Sequence, residues 1–250
     1  MKKHLAVIIP VFNEARNVIP LAERLGATLK AARISYHLYF VDDHSTDTTV
    51  NEIEKLTTGR PISLLTKKGK QGKAFSILEA VAQTNESYLA MIDADLQYPP
   101  EAIPEMLKIA KARGVCVARR QDNQESPIRK GVSKSFQWLF GKVLHGLDCD
   151  VQSGLKVFKR EIIQNVPQDV VTPWTLDIPL LTTALNMGYS IGQVEITFAK
   201  RNAGQSKIKF FSSISEIGGQ AIKHKFIGAQ PVTIAPLSPK INLDIHEIFK

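Results

Sequence analysis

The first half of the chain alternates short apolar runs with stretches of helical periodicity. Leu5 to Val11 is a nearly unbroken apolar run, the pattern of a strand buried on both faces. Glu14 to Ala32 follows with Val18, Leu21, Leu25 and Leu29 on one helical face. Tyr36 to Val41 reads as a second strand, Thr46-Asp47 to about Leu56 as a helix, and Ile62 to Leu65 as a short third strand. Gly72 to Gln83 reads as another helix and Tyr88 to Ile92 as a central strand. Pro99-Pro100-Glu101 opens the next helix with proline in its first turn, and Val115 to Ala118 is a closing strand. Strands alternating with helices predict βαβ units and a mostly parallel sheet.

The second half is less regular. Ser126 to Leu147 has the spacing of a long amphipathic helix carrying Phe136, Trp138, Leu139, Phe140, Val143 and Leu144. Val157-Phe158 and Val194 to Phe198 read as strands separated by a helix near Leu176 to Met187, and Ser212 to Lys223 as a further helix. From Gly228 the chain has three prolines and little periodicity, which predicts an extended tail over 228–250.

Composition narrows the class. Of 250 residues, 44% are apolar and 22% charged, enough for one sizeable core. The lysines before the first apolar run superficially resemble a signal peptide, but Pro10 and Asn13-Glu14 break the run without a small-residue cleavage site. No run reaches the roughly 18 to 20 apolar residues of a membrane span, so the chain is expected at most peripherally on a membrane. Cys116 and Cys149 are too few for a disulfide framework and lack zinc-ligand spacing, so a reduced, cytoplasmic setting is expected.

Thirty-two basic against 24 acidic residues give a formal charge of +8, concentrated at Lys67–Lys73, Arg113–Lys142 and Lys200–Lys209. Such an excess serves solubility, phosphate-rich substrates or an anionic membrane surface. Aromatic residues are not interleaved with it as in a single-strand platform, which places nucleic acid last among partners.

In open α/β sheets ligands bind beyond the carboxyl ends of the strands. Asn13-Glu14, Asp42-Asp43 and Asp93-Ala94-Asp95 all fall there, and their carboxylates repel unless a cation or hydrogen-bond donors compensate. Asp47 reads as a helix cap, and Asn13-Glu14 also fits a cap with a first-turn acid. In an extended segment Asp93 and Asp95 point to one side, and Gln97 continues the spacing. Such oxygen ligands suit Mg²⁺ or Mn²⁺. Gly72 and Lys73 open a helix, where a glycine admits close phosphate approach; a solvated basic loop is the other reading of Lys67–Lys73. Arg201, Ser206 and Lys207 form a basic and hydroxyl cluster matched to phosphate. Asp150 is either a turn residue or a site carboxylate.

Five ordered segments carry a resemblance. Ile9–Glu14 (IPVFNE), Val41–Asp47 (VDDHSTD), Asp93–Glu101 (DADLQYPPE), Asp150–Arg160 (DVQSGLKVFKR) and Arg201–Lys207 (RNAGQSK) resemble family 2 glycosyltransferases of the GT-A fold. The branch most similar makes polyprenyl-phosphate sugars, the dolichol-phosphate mannosyltransferase type. The resemblance spans roughly residues 5 to 210. It implies an α/β, Rossmann-like, mostly parallel sheet flanked by helices, and the apolar runs of this chain predict no transmembrane helix beside it. It further implies one domain over 1–227, with a nucleotide-sugar-binding half at about 1–120 and an acceptor half with amphipathic helices at about 121–227.

The same resemblance implies inverting transfer from a GDP- or UDP-linked sugar to a dolichyl or undecaprenyl phosphate. Pro10, Asn13, Glu14 and Asp42 would line the base and ribose pocket, and Gly72, Lys73 and Asp93 would face the rest of the donor. Asp93, Asp95 and Gln97 would hold the metal, and Arg201, Ser206 and Lys207 would close over phosphate. Asp95, Asp150 and Asp177 are the catalytic candidates, although Pro179 stands where the family often has a further acid. The basic aromatic helix at 129–147 would meet a membrane surface or a membrane partner subunit, and an oligomer is compatible. Two other readings remain open on the residues: transfer to a soluble sugar or glycan, and an inactive nucleotide-sugar-binding subunit.

Overall fold

The computed structural model describes residues 4–121, 147–167, 171–173 and 175–199. The expected helices at 126–147 (apart from Leu147) and 212–223, the tail from 228, and Arg201, Ser206 and Lys207 lie outside the described residues. The elements run β1 (Leu5–Val11), α1 (Ala15–Ala31), β2 (Tyr36–Asp42), α2 (Thr49–Thr57), β3 (Ile62–Thr66), α3 (Lys73–Ala82) and β4 (Tyr88–Met91). A 3₁₀ turn (Pro100–Ala102), α4 (Ile103–Arg113), β5 (Gly114–Arg120), β6 (Lys156–Lys159), α5 (Arg160–Gln164), α6 (Asp177–Asn186) and β7 (Ser190–Ile196) follow.

The seven strands form one sheet in the order β3-β2-β1-β4-β6-β5-β7. Pairing is parallel except at β6, which runs antiparallel to both β4 and β5. Alternate residues of β1 explain why it reads as a continuous apolar run. Leu5, Val7, Ile9 and Val11 pack in one core with Val18, Leu21 and Leu25 of α1 and Met106 of α4. Ala6 and Ile8 pack in the other with Ile77 of α3 and Leu180 of α6. Both faces are thus covered, and each fully buried Leu or Ile contributes about 1.5–3 kcal/mol. Among the described residues no helix is long and apolar enough to cross a membrane.

Several expected boundaries move for visible reasons. Helix α2 starts at Thr49 rather than Thr46, because Asp47 accepts the Thr49 amide at 2.9 Å and its hydroxyl at 2.5 Å. The residues before it are held in a loop by Asn13. The helix expected from Pro99 begins as the 3₁₀ turn and becomes α-helical at Ile103. Strand β7 lies earlier than Val194 to Phe198: it pairs with β5 from Ser190 to Ile196, and Phe198 instead meets Tyr98 edge-on at 4.9 Å. Polar alternation in Ser190–Ile196 concealed this strand, and α5 was not anticipated.

Candidate functional site

Strand β1 is paired with β2 on one side and β4 on the other, so the chain reverses its winding there. The two pairings differ in length. Pairing with β2 runs to Val11 opposite Asp42, whereas pairing with β4 stops at Ile8 opposite Met91. Residues two apart in a strand send their backbone groups to the same side, and the Ile8 carbonyl accepts the Ile92 amide. Pro10 therefore turns its missing N–H toward the side that β4 has left, the tolerated place for proline beside a sheet. The result is a crevice between the ends of β1 and β4, where α/β sheets bind ligands.

One wall is built by Asn13 and Asp42. Asn13 is left-handed at φ 54°, a conformation asparagine tolerates. Its amide donates to Ser45 Oγ at 2.9 Å, and its side-chain oxygen accepts the amides of Thr46 at 2.7 Å and Asp47 at 3.3 Å. Asn13 thus shapes the loop after β2 rather than capping α1. The Glu14 amide donates to Thr49 Oγ1, and the Glu14 carboxylate accepts Asn17 Nδ2 at 2.6 Å, with no side-chain cap on α1. Asp42, almost wholly buried, accepts the Ser45 amide at 3.2 and 3.3 Å.

Beside it, Asp43 and Lys67 form a buried knot. Lys67 Nζ lies 2.8 Å from Asp43 Oδ1, 3.0 Å from the Gly72 carbonyl and 3.3 Å from Ser76 Oγ. The Gly72 amide donates to Asp43 Oδ2 at 2.8 Å. Neither sequence reading of the basic loop fits Lys67, whose side chain is 0% exposed and serves to tie β2 to the start of α3. Gly72 is required by its φ of 147° and by Pro173, whose Cβ would lie 2.5 Å from an added Cβ. Its amide is committed to Asp43 and the Ala74 amide to the Pro173 carbonyl, so neither is turned to the crevice.

The floor is the turn after β4. Asp93 is ion-paired with Lys73 of α3, and the two side chains are 32% and 30% exposed. Burial works against the charge on Lys73, but Asp93 and then Asp177 outweigh it and hold its pKa above the usual lysine range. Asp95 is buried to 8% exposure and accepts the Gln97 amide at 3.2 Å. Extended-strand alternation does not describe this pair, because Ala94 and Asp95 lie in a turn and Leu96 is left-handed at φ 62°. Gln97 donates from its side-chain Nε2 to the Ala199 carbonyl at 3.0 Å. Among the described residues no three His, Cys, Asp or Glu side chains cluster as metal ligands. The two carboxylates on one turn still suit a hard cation that takes its remaining ligands from a substrate and water.

The antiparallel course of β6 brings the second half to this floor. Because β6 begins where β4 ends, with Lys156 opposite Met91, the preceding segment 150–155 lies against Asp93. Gly154 is the contact: an added Cβ would sit 2.0 Å from Asp93 Oδ2 and 2.8 Å from Tyr98 Cε2. The Gly154 amide donates to the Tyr98 hydroxyl oxygen at 2.7 Å, and burial pushes the Tyr98 phenol well above its usual pKa.

Two further pairs complete the site. Lys156, fully buried, donates to the Ser153 carbonyl at 2.5 Å and to Asp177 Oδ1 at 2.7 Å. Asp150 accepts both arms of Arg120, Nε at 2.7 Å and Nη2 at 3.0 Å, and Arg120 lies 5.5 Å from the Phe198 ring centroid. Asp150 is thus neither a simple turn residue nor isolated. Lys73 comes together with Asp93 and feels Asp177, Asp95 lies on the same turn as Asp93, and Asp42, Asn13 and Glu14 occupy the neighbouring wall. Sequence reasoning missed Lys67, Tyr98, Arg120 and Lys156 as parts of the site. The signal available for Lys156 was a lysine flanked by apolar residues in a strand, which requires a buried partner.

A parallel-wound sheet with carboxylates and lysines at its carboxyl edge defines a ligand-binding α/β fold of the Rossmann-like class. The chain belongs to glycosyl transferase family 2, whose model matches residues 6–166. Curated relatives include the undecaprenyl-phosphate 4-deoxy-4-formamido-L-arabinose transferase of Photorhabdus laumondii, 30% identical over 85% of this chain and 65% of that protein. The dolichol-phosphate mannosyltransferase of Saccharomyces cerevisiae is 26% identical over 83% of this chain and 82% of that protein. The chain therefore spans just under two thirds of the first relative's length. Among solved structures, glucosyl-3-phosphoglycerate synthase from Mycobacterium tuberculosis, in complex with Mn²⁺, UDP-glucose and phosphoglyceric acid, superposes with a TM-score of 0.71. That match covers 90% of this chain and 80% of the other at 14% identity, which establishes the GT-A type of fold.

Proposed function

We propose that the protein is a metal-dependent glycosyltransferase that moves a sugar from a nucleoside-diphosphate sugar to a polyprenyl phosphate with inversion. The observation that carries the reading is the pair Asp93 and Asp95 on the turn that closes β4 at the mouth of the crevice, beside the cationic Lys73. The names of the curated relatives support the lipid-phosphate acceptor. In this reading Pro10, Asn13, Glu14 and Asp42 shape the pocket for base and ribose. Asp93 and Asp95 would hold Mg²⁺ or Mn²⁺, which would supply positive charge to the departing diphosphate. Lys73 contributes a second positive charge to the same phosphate groups, and Arg201, Ser206 and Lys207 close over them.

The acceptor oxygen belongs to a phosphate that is already anionic near neutral pH, so little proton abstraction is needed. Positioning and charge stabilisation then carry most of the rate. Lys156 holds Asp177 in place and both arms of Arg120 hold Asp150, which suits these carboxylates to positioning rather than to general-base work. The reaction takes place on the cytoplasmic face of a membrane, to which the chain attaches peripherally or through a partner subunit.

The test is a donor screen with UDP- and GDP-sugars and Mn²⁺ or Mg²⁺, each with and without a short polyprenyl phosphate. Organic-extractable sugar that disappears in Asp95→Ala is the expected result. Sugar appearing only on soluble acceptors would move the reading to a soluble-acceptor enzyme, and no turnover of any donor would sink it in favour of a binding subunit.

A further inference from the structure

We infer that Lys73 is a displaceable internal counter-ion for Asp93, so that the divalent cation and the donor diphosphate load together and neither loads tightly alone. The inference rests on the metal and diphosphate reading above and concerns how that site fills.

One oxygen of Asp93 is paired with a cation and the other packs against backbone. Oδ1 is paired with Lys73 Nζ, and Oδ2 lies so close to Gly154 that no Cβ fits between them. A cation that takes Asp93 Oδ1 therefore competes with the ammonium for that oxygen. Lys73 is able to leave: its side chain is 30% exposed, rises from the first turn of α3, and ends in a freely rotating stem. Lys67, six residues earlier, cannot leave, being 0% exposed and bonded to three oxygens.

Displacement by a cation alone is unfavourable, because it leaves the Lys73 ammonium beside the cation without its Asp93 partner. Asp177 attracts Lys73 as well, but its Oδ1 is already paired with Lys156. A diphosphate in the crevice resolves the conflict by giving oxygen partners to the displaced ammonium and to the cation. Each ligand then removes a cost from the other, and linkage requires the same factor on both affinities.

The experiment measures Mn²⁺ binding to the whole chain from the electron paramagnetic resonance signal of free Mn²⁺, with and without UDP or GDP. In the unsubstituted protein, nucleoside diphosphate should tighten Mn²⁺ binding on the order of tenfold or more. Lys73→Met should tighten binding of Mn²⁺ alone by about tenfold and lose most of the coupling. Lys73→Arg should keep the coupling, and thermal melts check that both variants fold. Equal Mn²⁺ affinity with and without nucleotide in the unsubstituted protein overturns the inference without any variant. Unchanged Mn²⁺-alone affinity in Lys73→Met, with nucleotide coupling intact, overturns it while the metal reading stands. Mn²⁺ binding in no variant and with neither nucleotide would remove both.

Discussion

The two ends of the loop between β3 and α3 put the same residue type to opposite uses. Lys67 and Lys73 belong to one basic run, and each meets an aspartate that follows a parallel strand. Lys67 is sealed, with Asp43, Ser76 and the Gly72 carbonyl around it, and locks β2 to α3. Lys73 stands at the crevice with a partner as exposed as itself. The sealed pair holds the loop so that the open pair can change partners. A buried charge is fixed because leaving means losing its compensation, whereas a half-exposed one exchanges a carboxylate for water or phosphate at small cost.

The sharpest way to break this contrast is stability. Lys67→Met should leave Asp43 buried without its cation and lower stability by about 3–5 kcal/mol, whereas Lys73→Met should cost under about 1 kcal/mol. Urea unfolding of the two variants decides it, and equal midpoints would mean that burial does not separate the two lysines.

A smaller effect is expected on the far side of Asp93. Gly154→Ala places a methyl group where Asp93 Oδ2 now lies, at an overpacking cost of about 1–3 kcal/mol. Displacing that carboxylate by a fraction of an ångström to about 1 Å should reduce transfer on the order of a hundredfold. Preserved turnover with full Mn²⁺ affinity would show that the Gly154 wall does not set the position of Asp93.

The smallest effect comes from an exposed pair that ties α1 to the 3₁₀ turn after the site. Arg24 Nη2 lies 2.8 Å from Glu101 Oε2, with side chains 41% and 53% exposed. Burial opposes ionisation of Glu101, but the Arg24 guanidinium outweighs it and holds the carboxyl below the usual range. A depressed carboxyl stabilises the fold above the unfolded pKa of about 4.3 and loses that contribution as pH falls through the folded value. Glu101→Gln should therefore cost under about 1 kcal/mol at pH 7, less in high salt, and nothing at a pH below the folded value of the carboxyl. Thermal melts at the two pH values test the sign; a cost that persists in acid would point to packing.

Much of the parallel half was legible because its signals are local. The run Leu5–Val11 is apolar at every position except one proline-compatible break, and the apolar stripe Val18, Leu21, Leu25, Leu29 is a helical period. The acids at 42–43 and 93–95 follow strands and had to fall on the sheet's carboxyl edge. The second half was less legible for equally physical reasons. Among the described residues Ser190–Ile196 pairs on one side only, with β5, and so needs little apolar content. Asp150 carries no mark in the sequence that Arg120 will clamp it.

The sequence by itself determined the alternation of strand and helix, the family, and the presence of carboxylates at successive strand ends. Only the tertiary structure decided which cation meets which carboxylate. That pairing follows from the sheet order and from the antiparallel entry of β6, which carries Gly154 to Asp93 and Lys156 to Asp177. Hydrophobic periodicity is a property of neighbouring residues, whereas the strength and permanence of an ion pair depend on burial, which the whole fold sets.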